Sequence, residues 1–312
     1  MPEHEPQRAP MMINRALHDH IAAWVQDAYP SCDVAGRSKL ELLTYVADQD
    51  GPGAIIALSR RIAELAGNPI ITAVCGAPDA HLIAARWQRL ERFGHNRHRT
   101  RTIEHARQDD GAELLRLEHY DTWGAAFPWQ NDMFVWGLYL GLFDACGAMV
   151  ERAMIAGSNI LEPGDLGLNE LYEDRVLTRE ITFVVRFAGA IGAAEGADDC
   201  TSGMRQRVEA LLRGDLIHSW VLDEVAEALR ASKRSVQRGL SDQGTSFSAS
   251  LRMVRVSAAR KMIEETDQSL TAIAFCTGFA DLAHFTRTFT REHGVAPSAY
   301  RSVLQVQADS EV

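Results

Sequence analysis

Leu222-Asp-Glu-Val-Ala-Glu-Ala-Leu229, then Arg230-Ala231, then Ser232-Lys-Arg-Ser-Val-Gln-Arg-Gly-Leu240 is the stretch from which the fold of this chain is read. Val225 and Leu229 are one helical turn apart on a single stripe, and the small Ala226 beside them lets a second helix cross closely. Ser232 suits the N-cap of a helix over 233–243, because its hydroxyl accepts from a first-turn amide, and Gly244 stops that helix. The inner stripe is Val236 and Leu240; the other face carries Arg234, Gln237 and Arg238. The pattern is a helix-turn-helix unit.

The arrangement recurs downstream. Residues 270–277, with Ile273 and small Ala274, form one helix, Gly278-Phe279 make the turn, and a second helix begins near Asp281. Phe285 and Phe289 are its inner stripe; Thr286, Arg287 and Arg291 face outward, and Gly294 with Pro297 ends it. Between the units, Phe247, Leu251, Val254, Ala258 and Met262 recur at helical steps, so residues 247–265 read as one amphipathic helix. Its length of about 28 Å is close to the ~34 Å between successive major-groove faces of B-DNA. One polypeptide can thus present two reading helices to one side of a duplex.

These residues resemble the DNA-binding domain of the AraC/XylS transcription regulators. The resemblance covers the last hundred or so residues. It rests on Val225-Ala226, Ser232-x-Arg234-Ser-Val-Gln237-Arg238, Gly244-Thr-Ser-Phe247, Ile273-Ala274, Gly278-Phe279, Phe285-x-Arg287-x-Phe289 and Gly294-Val-Ala-Pro297-Ser-x-Tyr300-Arg301. It implies DNA contacts at Lys233, Arg234, Gln237 and Arg238 in the first unit, the last three reaching base edges, and base-facing positions at Leu282, Ala283, Thr286 and Arg287 in the second. One departure stands out: Arg230 occupies a turn position where the family commonly has glycine, and a left-handed backbone costs arginine more than glycine. A strained or differently shaped first turn is expected.

The formal charge of −10 argues against nucleic acid only if it is evenly spread. It is not: residues 204–305 carry net +3 and residues 1–203 net −11, so the basic part coincides with the reader. Hydrophobic residues make up 46% of the 312, enough for two packed cores. The longest apolar run, Met133 to Phe143, is too short to span a membrane, and the amino terminus has no hydrophobic signal core, so a cytoplasmic location is expected. The five cysteines show no metal-ligand spacing, and no cofactor or metal is expected.

Upstream of the reader, residues 1–12 read as a disordered tail and 13–195 as an α+β domain, with a linker at 196–203, an all-α domain at 204–305 and a tail at 306–312. Helices are expected over 13–25, 39–47, 54–66, 79–92 and 131–150, and from Met204 to Leu212. Strands are expected over 69–74, 100–107, 113–120 and 181–187, with Gln108-Asp-Asp-Gly111 as a hairpin turn. This half resembles the regulators of the same family whose N-terminal domain is helical-and-sheet rather than a cupin barrel, a likeness carried by layout and by Trp87-Gln-Arg-Leu-Glu-Arg-Phe-Gly-His-Asn-Arg-His-Arg99.

Three features of this half invite chemistry, each with a plainer alternative. The basic run Arg86, Arg89, Arg92, His95, Arg97, His98, Arg99 and Arg101 suits an anionic effector, with Arg97 and Arg99 as candidates, or else a surface paired with the domain's own acids. Trp123, Trp129 and Trp136, with Tyr139, Phe127 and Phe134, line an apolar pocket or fill a core. Cys75 in Ala73-Val-Cys-Gly-Ala looks superficially like a strand-to-turn nucleophile, but no histidine or acid motif accompanies it.

The reading is therefore a sequence-specific transcription regulator, not an enzyme, that binds promoter or operator DNA under the control of a small-molecule effector in residues 13–195. RNA polymerase and a second copy of the chain are possible partners, and no membrane is involved. The alternatives are control by a protein partner, and an enzyme-like domain fused to a reader.

Overall fold

The computed structural model describes residues 12–65, 68–76, 79–94, 97–125, 128–161, 179–187 and 203–310. The expected tail before residue 12, nearly all of the expected linker, and the candidates His95 and Phe127 lie outside the described residues. Two compact units divide the chain, Met1–Ile191 and Gly192–Val312.

The first unit opens with helices α1 (Met12–Ala28), α2 (Lys39–Asp50) and α3 (Pro52–Arg60), the last continued by a 3-10 turn at Arg61–Leu65. Ser38 and Glu41 close a capping box on α2: the Ser38 hydroxyl accepts from Glu41 N at 3.3 Å and Glu41 accepts from Ser38 N at 2.7 Å. Helices α4 (Pro69–Cys75) and α5 (Ala80–Gly94) follow. Strands β1 (His98–Arg107), β2 (Glu113–Asp121), β3 (Ala148–Ile155), β4 (Ser158–Asn159) and β5 (Glu180–Phe187) form one antiparallel sheet in the order β1-β2-β5-β3-β4. Between β2 and β3 lies α6 (Trp129–Ala145), buried on every side from Asn131 to Phe143. A Cβ at Gly137 or Gly141 would overlap the carbonyl oxygen of Ile56 or Arg60, so glycine lets α3 and its extension lie directly on α6.

Two expectations are corrected here. Residues 69–74 are helix, not strand: the Asn68 side chain accepts from Ile70 N at 2.9 Å and Pro69 occupies the first turn, so a cap and a preset φ override the β-branched run. The helix expected to reach Val150 stops at Ala145, and Gly147, at φ +67°, turns the chain into β3. Apolar content alone does not separate a buried helix from the buried strand after it.

Among the described residues the second unit is all helix: α7 (Met204–Gly214), α8 (Leu222–Ala228), α9 (Lys233–Asp242), α10 (Phe247–Glu265), α11 (Leu270–Cys276), α12 (Leu282–His293) and α13 (Pro297–Ser310). Helix α13 extends past residue 305, where a tail was expected. Val208, Leu212, Val225, Ala226, Leu229, Val236, Leu240 and Val254 form the core of the first helix-turn-helix unit. Phe279, Phe285, Phe289 and Tyr300 run ring to ring through the second, at centroid spacings of 5.2, 5.6 and 5.6 Å. The α10 boundaries agree with the sequence, but its apolar side does not. Phe247 and Leu251 pack with Val254 against the first helix-turn-helix unit, whereas farther along Val256, Ala259 and Ile263 are buried instead of Ala258 and Met262. A helix shared by two units must bury more than one stripe.

Candidate functional site

The reader is built from its caps outward. Ser232 accepts from Ser235 N at 3.1 Å and Asp281 from His284 N at 2.6 Å, fixing where α9 and α12 begin. Val236 and Leu240 anchor α9, and Phe285 and Phe289 anchor α12, all fully buried. What each helix turns outward is therefore set by a 3.6-residue period. On α9 this leaves Lys233, Arg234, Gln237 and Arg238 exposed. The Arg238 side chain is 82% accessible, with Asp242 at 3.8 Å, a pairing that solvent screens; Lys233 meets Asp223 across the turn. Such a row offers bidentate donors at arginine and a donor and acceptor at glutamine, the functions that distinguish guanine and adenine in the major groove. On α12, Leu282, Ala283 and Arg287 are exposed and Thr286 is half-buried. Leu282, three residues before the buried Phe285, is 39% exposed, so it belongs to the outer surface.

The first turn takes the left-handed geometry. Arg230 has φ +50°, its amide donates to Glu227 O at 2.9 Å, and the Ala231 amide donates to Ala226 O at 2.8 Å. Arginine here adopts the conformation that glycine supplies in the second turn.

In the first unit the structure disperses the effector candidates. Arg97 bonds Asp121 at 2.5 Å and lies 5.0 Å over the Trp123 ring, and Arg101 pairs with Glu118. Much of the basic run is thus tied to its neighbours: Arg86 is buried and donates to Ala73 O at 3.0 Å. Trp136 and Tyr139 are fully buried core, Trp123 is 66% exposed, and Trp129 and Arg99 are half-buried. None of Arg97, Arg99, Trp123, Trp129 and Trp136 lines the large cavity of this unit.

That cavity, of about 730 Å³, lies among α1, α2, α5, α6 and the sheet. Its apolar wall includes Ile21, Trp87, Phe134 and Leu138, and its polar groups include Lys39, Glu91, His98 and His119. Burial lowers the Lys39 pKa to about 8, and the ammonium lies 4.9 Å over the Phe134 ring. Lys39 keeps some accessible surface because it borders the cavity while protein encloses it. Burial raises Glu91 to about 7, although Thr100 N donates to it at 2.7 Å. His98 falls to about 4 through burial and the nearby His119 and Lys39. Burial also lowers His119, against the pull of Asp132 at 2.7 Å. Lys39, Glu91 and His119 were missed in the sequence. His119 was reachable: β2 alternates, and its buried face runs Glu113, Leu115, Leu117, His119, Asp121.

Cys75 ends a helix rather than a strand, and its thiol is pulled down by a hydrogen bond from Cys146 and by the Arg86 charge, not by a histidine. Cys146 is correspondingly raised. Among the described residues no helix is long and apolar enough to cross a membrane.

Residues 225–302 match the helix-turn-helix domain family, and the C-terminal part of the chain is an AraC-type helix-turn-helix domain. The chain is 35% identical over 115 residues to the transcriptional activator RhrA of Rhizobium meliloti, covering 36% of each. It is 30% identical over 95 residues to the HTH-type transcriptional activator FapR of Escherichia coli, covering 30% of this chain and 36% of that one. The match thus spans little more than a third of these relatives' length. A solved DNA-binding transcriptional dual regulator from Escherichia coli K-12 is 24% identical, covering 34% of this chain and 96% of that one, with a TM-score of 0.33.

Proposed function

We propose that this chain is a sequence-specific transcription regulator of the AraC/XylS type, which reads promoter DNA with α9 and α12 and responds to a small molecule held in its first unit. The observation that carries the proposal is the exposed row Arg234, Gln237 and Arg238 on a helix whose opposite side is locked into a core by Val236 and Leu240. Those side chains read base edges, with Lys233 on the backbone; on α12, Thr286 and Arg287 contact the duplex while Leu282 and Ala283 meet thymine methyl groups. The relatives named as activators support RNA polymerase as a partner. The largely apolar cavity of the first unit, with its few polar groups, favours a small-molecule effector over control by a protein alone. An effector shifts the equilibrium between binding-competent and incompetent forms only through its differential affinity for the two; a second copy of the chain is a natural participant.

Footprinting of the purified protein on DNA upstream of its own coding sequence, at several salt concentrations, tests this. Protection over two successive major grooves, weakening steeply between roughly 50 and 200 mM salt, is expected. Equal affinity for that site and for random duplex would sink the sequence-specific reading.

A further inference from the structure

We propose that Cys75 and Cys146 form a hydroperoxide-sensitive dithiol, with Cys75 as the attacking and Cys146 as the resolving thiol, whose oxidation joins the end of α4 to the end of α6 through a reversible disulfide. The modification needs nothing from the DNA-reading unit.

The two cysteines are distant in the chain and meet at two helix ends. Cys75 is the last residue of α4, and Cys146 caps the C-terminus of α6. Both turn to one carbonyl: the Cys75 thiol donates to Leu142 O at 3.6 Å, and the Cys146 amide donates to the same oxygen at 3.1 Å. The Cys146 thiol is within hydrogen-bond reach of the Cys75 sulfur, so the two sulfurs lie side by side. Each is partly exposed, which a molecule as small as hydrogen peroxide can reach. Cys32 and Cys276 are a contrast, at 3% and 7% exposure, and burial pushes the Cys276 thiol up to about 12.

The surroundings give the two thiols different roles, because the thiolate is the nucleophile. The hydrogen bond from Cys146 holds the Cys75 thiol below its ordinary value, and the positive charge of Arg86 adds to this against the effect of burial. Arg86 is buried and fixed by donation to Ala73 O at 3.0 Å, two residues before Cys75. The same hydrogen bond, together with burial, raises Cys146, which therefore keeps its proton. In the first step the Cys75 thiolate attacks one peroxide oxygen, the O–O bond breaks, and the products are a sulfenic acid and hydroxide. In the second the Cys146 sulfur attacks the Cys75 sulfur, the S–O bond breaks, and the leaving hydroxide takes the Cys146 proton as water. Each sulfur gives up one electron, and the peroxide accepts both. A small thiol such as glutathione restores the pair by exchange through a mixed disulfide.

The test treats the reduced full chain with hydrogen peroxide at pH 7, quenches it with iodoacetamide, and maps the linkages by mass spectrometry after non-reducing digestion. A Cys75–Cys146 disulfide is expected, formed roughly tenfold or more faster than glutathione is oxidised under the same conditions, and removed by dithiothreitol. Cys32 and Cys276 should stay unlinked; Cys200, outside the described residues, is mapped separately. Cys146→Ser keeps a hydrogen-bond donor beside Cys75 and should stop the reaction at the sulfenic acid, which dimedone labels on Cys75. Cys75→Ser should leave Cys146 unlabelled. If either variant does not fold, the linkage and its rate in the native chain decide. No Cys75–Cys146 linkage, or one formed no faster than glutathione reacts, overturns the proposal, and dimedone on Cys146 in Cys75→Ser overturns the order of attack.

Discussion

At Arg230 the chain between α8 and α9 turns with φ +50°, and at Gly278 the chain between α11 and α12 turns with φ +80°. The hydrogen bonds match: the left-handed residue donates three residues back, Arg230 to Glu227 and Gly278 to Phe275, and its successor donates five back, Ala231 to Ala226 and Phe279 to Ala274. The residues differ because the surroundings differ. Arg230 is exposed, so its side chain costs only the local clash of a left-handed backbone, while Arg207 from α7 donates to Leu229 O at 3.1 Å and helps fix the turn. Gly278 is buried, and a Cβ there would overlap the Leu216 carbonyl oxygen and stand 2.7 Å from Arg255 Nε. Arg255 in turn donates to Leu216 O at 3.3 Å and His218 O at 2.9 Å, so the second turn is packed into the loop between α7 and α8. One turn tolerates its residue and the other requires it.

The comparison breaks most visibly at Gly278. Gly278→Ala should cost at least ~3 kcal/mol through overlap combined with positive φ, read as a collapse of the C-terminal unit's melting transition. A near-native melt would mean that the Leu216 loop moves aside freely, and the two turns would be equivalent after all. On DNA the expected asymmetry favours the first helix-turn-helix unit. Arg238→Ala should weaken the specific site by about 1–3 kcal/mol with little change on random duplex, and Arg287→Ala should cost less. Equal loss from Arg238→Ala on both duplexes would place that arginine on phosphate only. The smallest effect is at the first turn, where Arg230→Gly should stabilise by about 0.5–1 kcal/mol in chemical denaturation, the relieved strain exceeding the added flexibility of the unfolded chain. A loss would show that the arginine side chain makes a contribution its exposure hides.

In the first unit, Lys39 gives a pH signature. Its folded pKa of about 8 lies below that of an unfolded lysine, so the unfolded chain binds more protons above pH 8, and stability rises as pH climbs from about 8 toward 10.5. The charged and titratable groups around it are His18 and Asp19 on α1, Glu91 on α5, His98 on β1, His119 on β2 and Asp132 on α6. Denaturation midpoints across that window should climb more steeply in the native chain than in Lys39→Met; parallel curves would mean that Lys39 stays protonated and solvated.

The reader was legible because its signals are local. Ser232 and Asp281 cap, Gly244 and Gly294 stop, and Val236, Leu240, Phe285 and Phe289 mark an inner side, all within one or two turns of the residues they position. The cavity was not legible, because Lys39, Glu91, His98 and His119 come from four elements and meet only through tertiary packing. The density of arginines and tryptophans drew attention instead to Arg97, Arg99 and Trp136, which the fold spends on Asp121, half-buried surface and core.

What the amino-acid order determined by itself was the pair of helix-turn-helix units, the helix between them and the outward row on α9, since capping and a 3.6-residue period act over a few neighbouring residues. Only the tertiary structure decided that α10 buries different stripes along its length, that Gly278 must be glycine, and that a lysine at the start of α2 faces a cavity. Each of these depends on contacts between residues far apart in the chain, and local preferences of a few tenths of a kcal/mol to about 1 kcal/mol per residue are overruled by the burial such contacts bring.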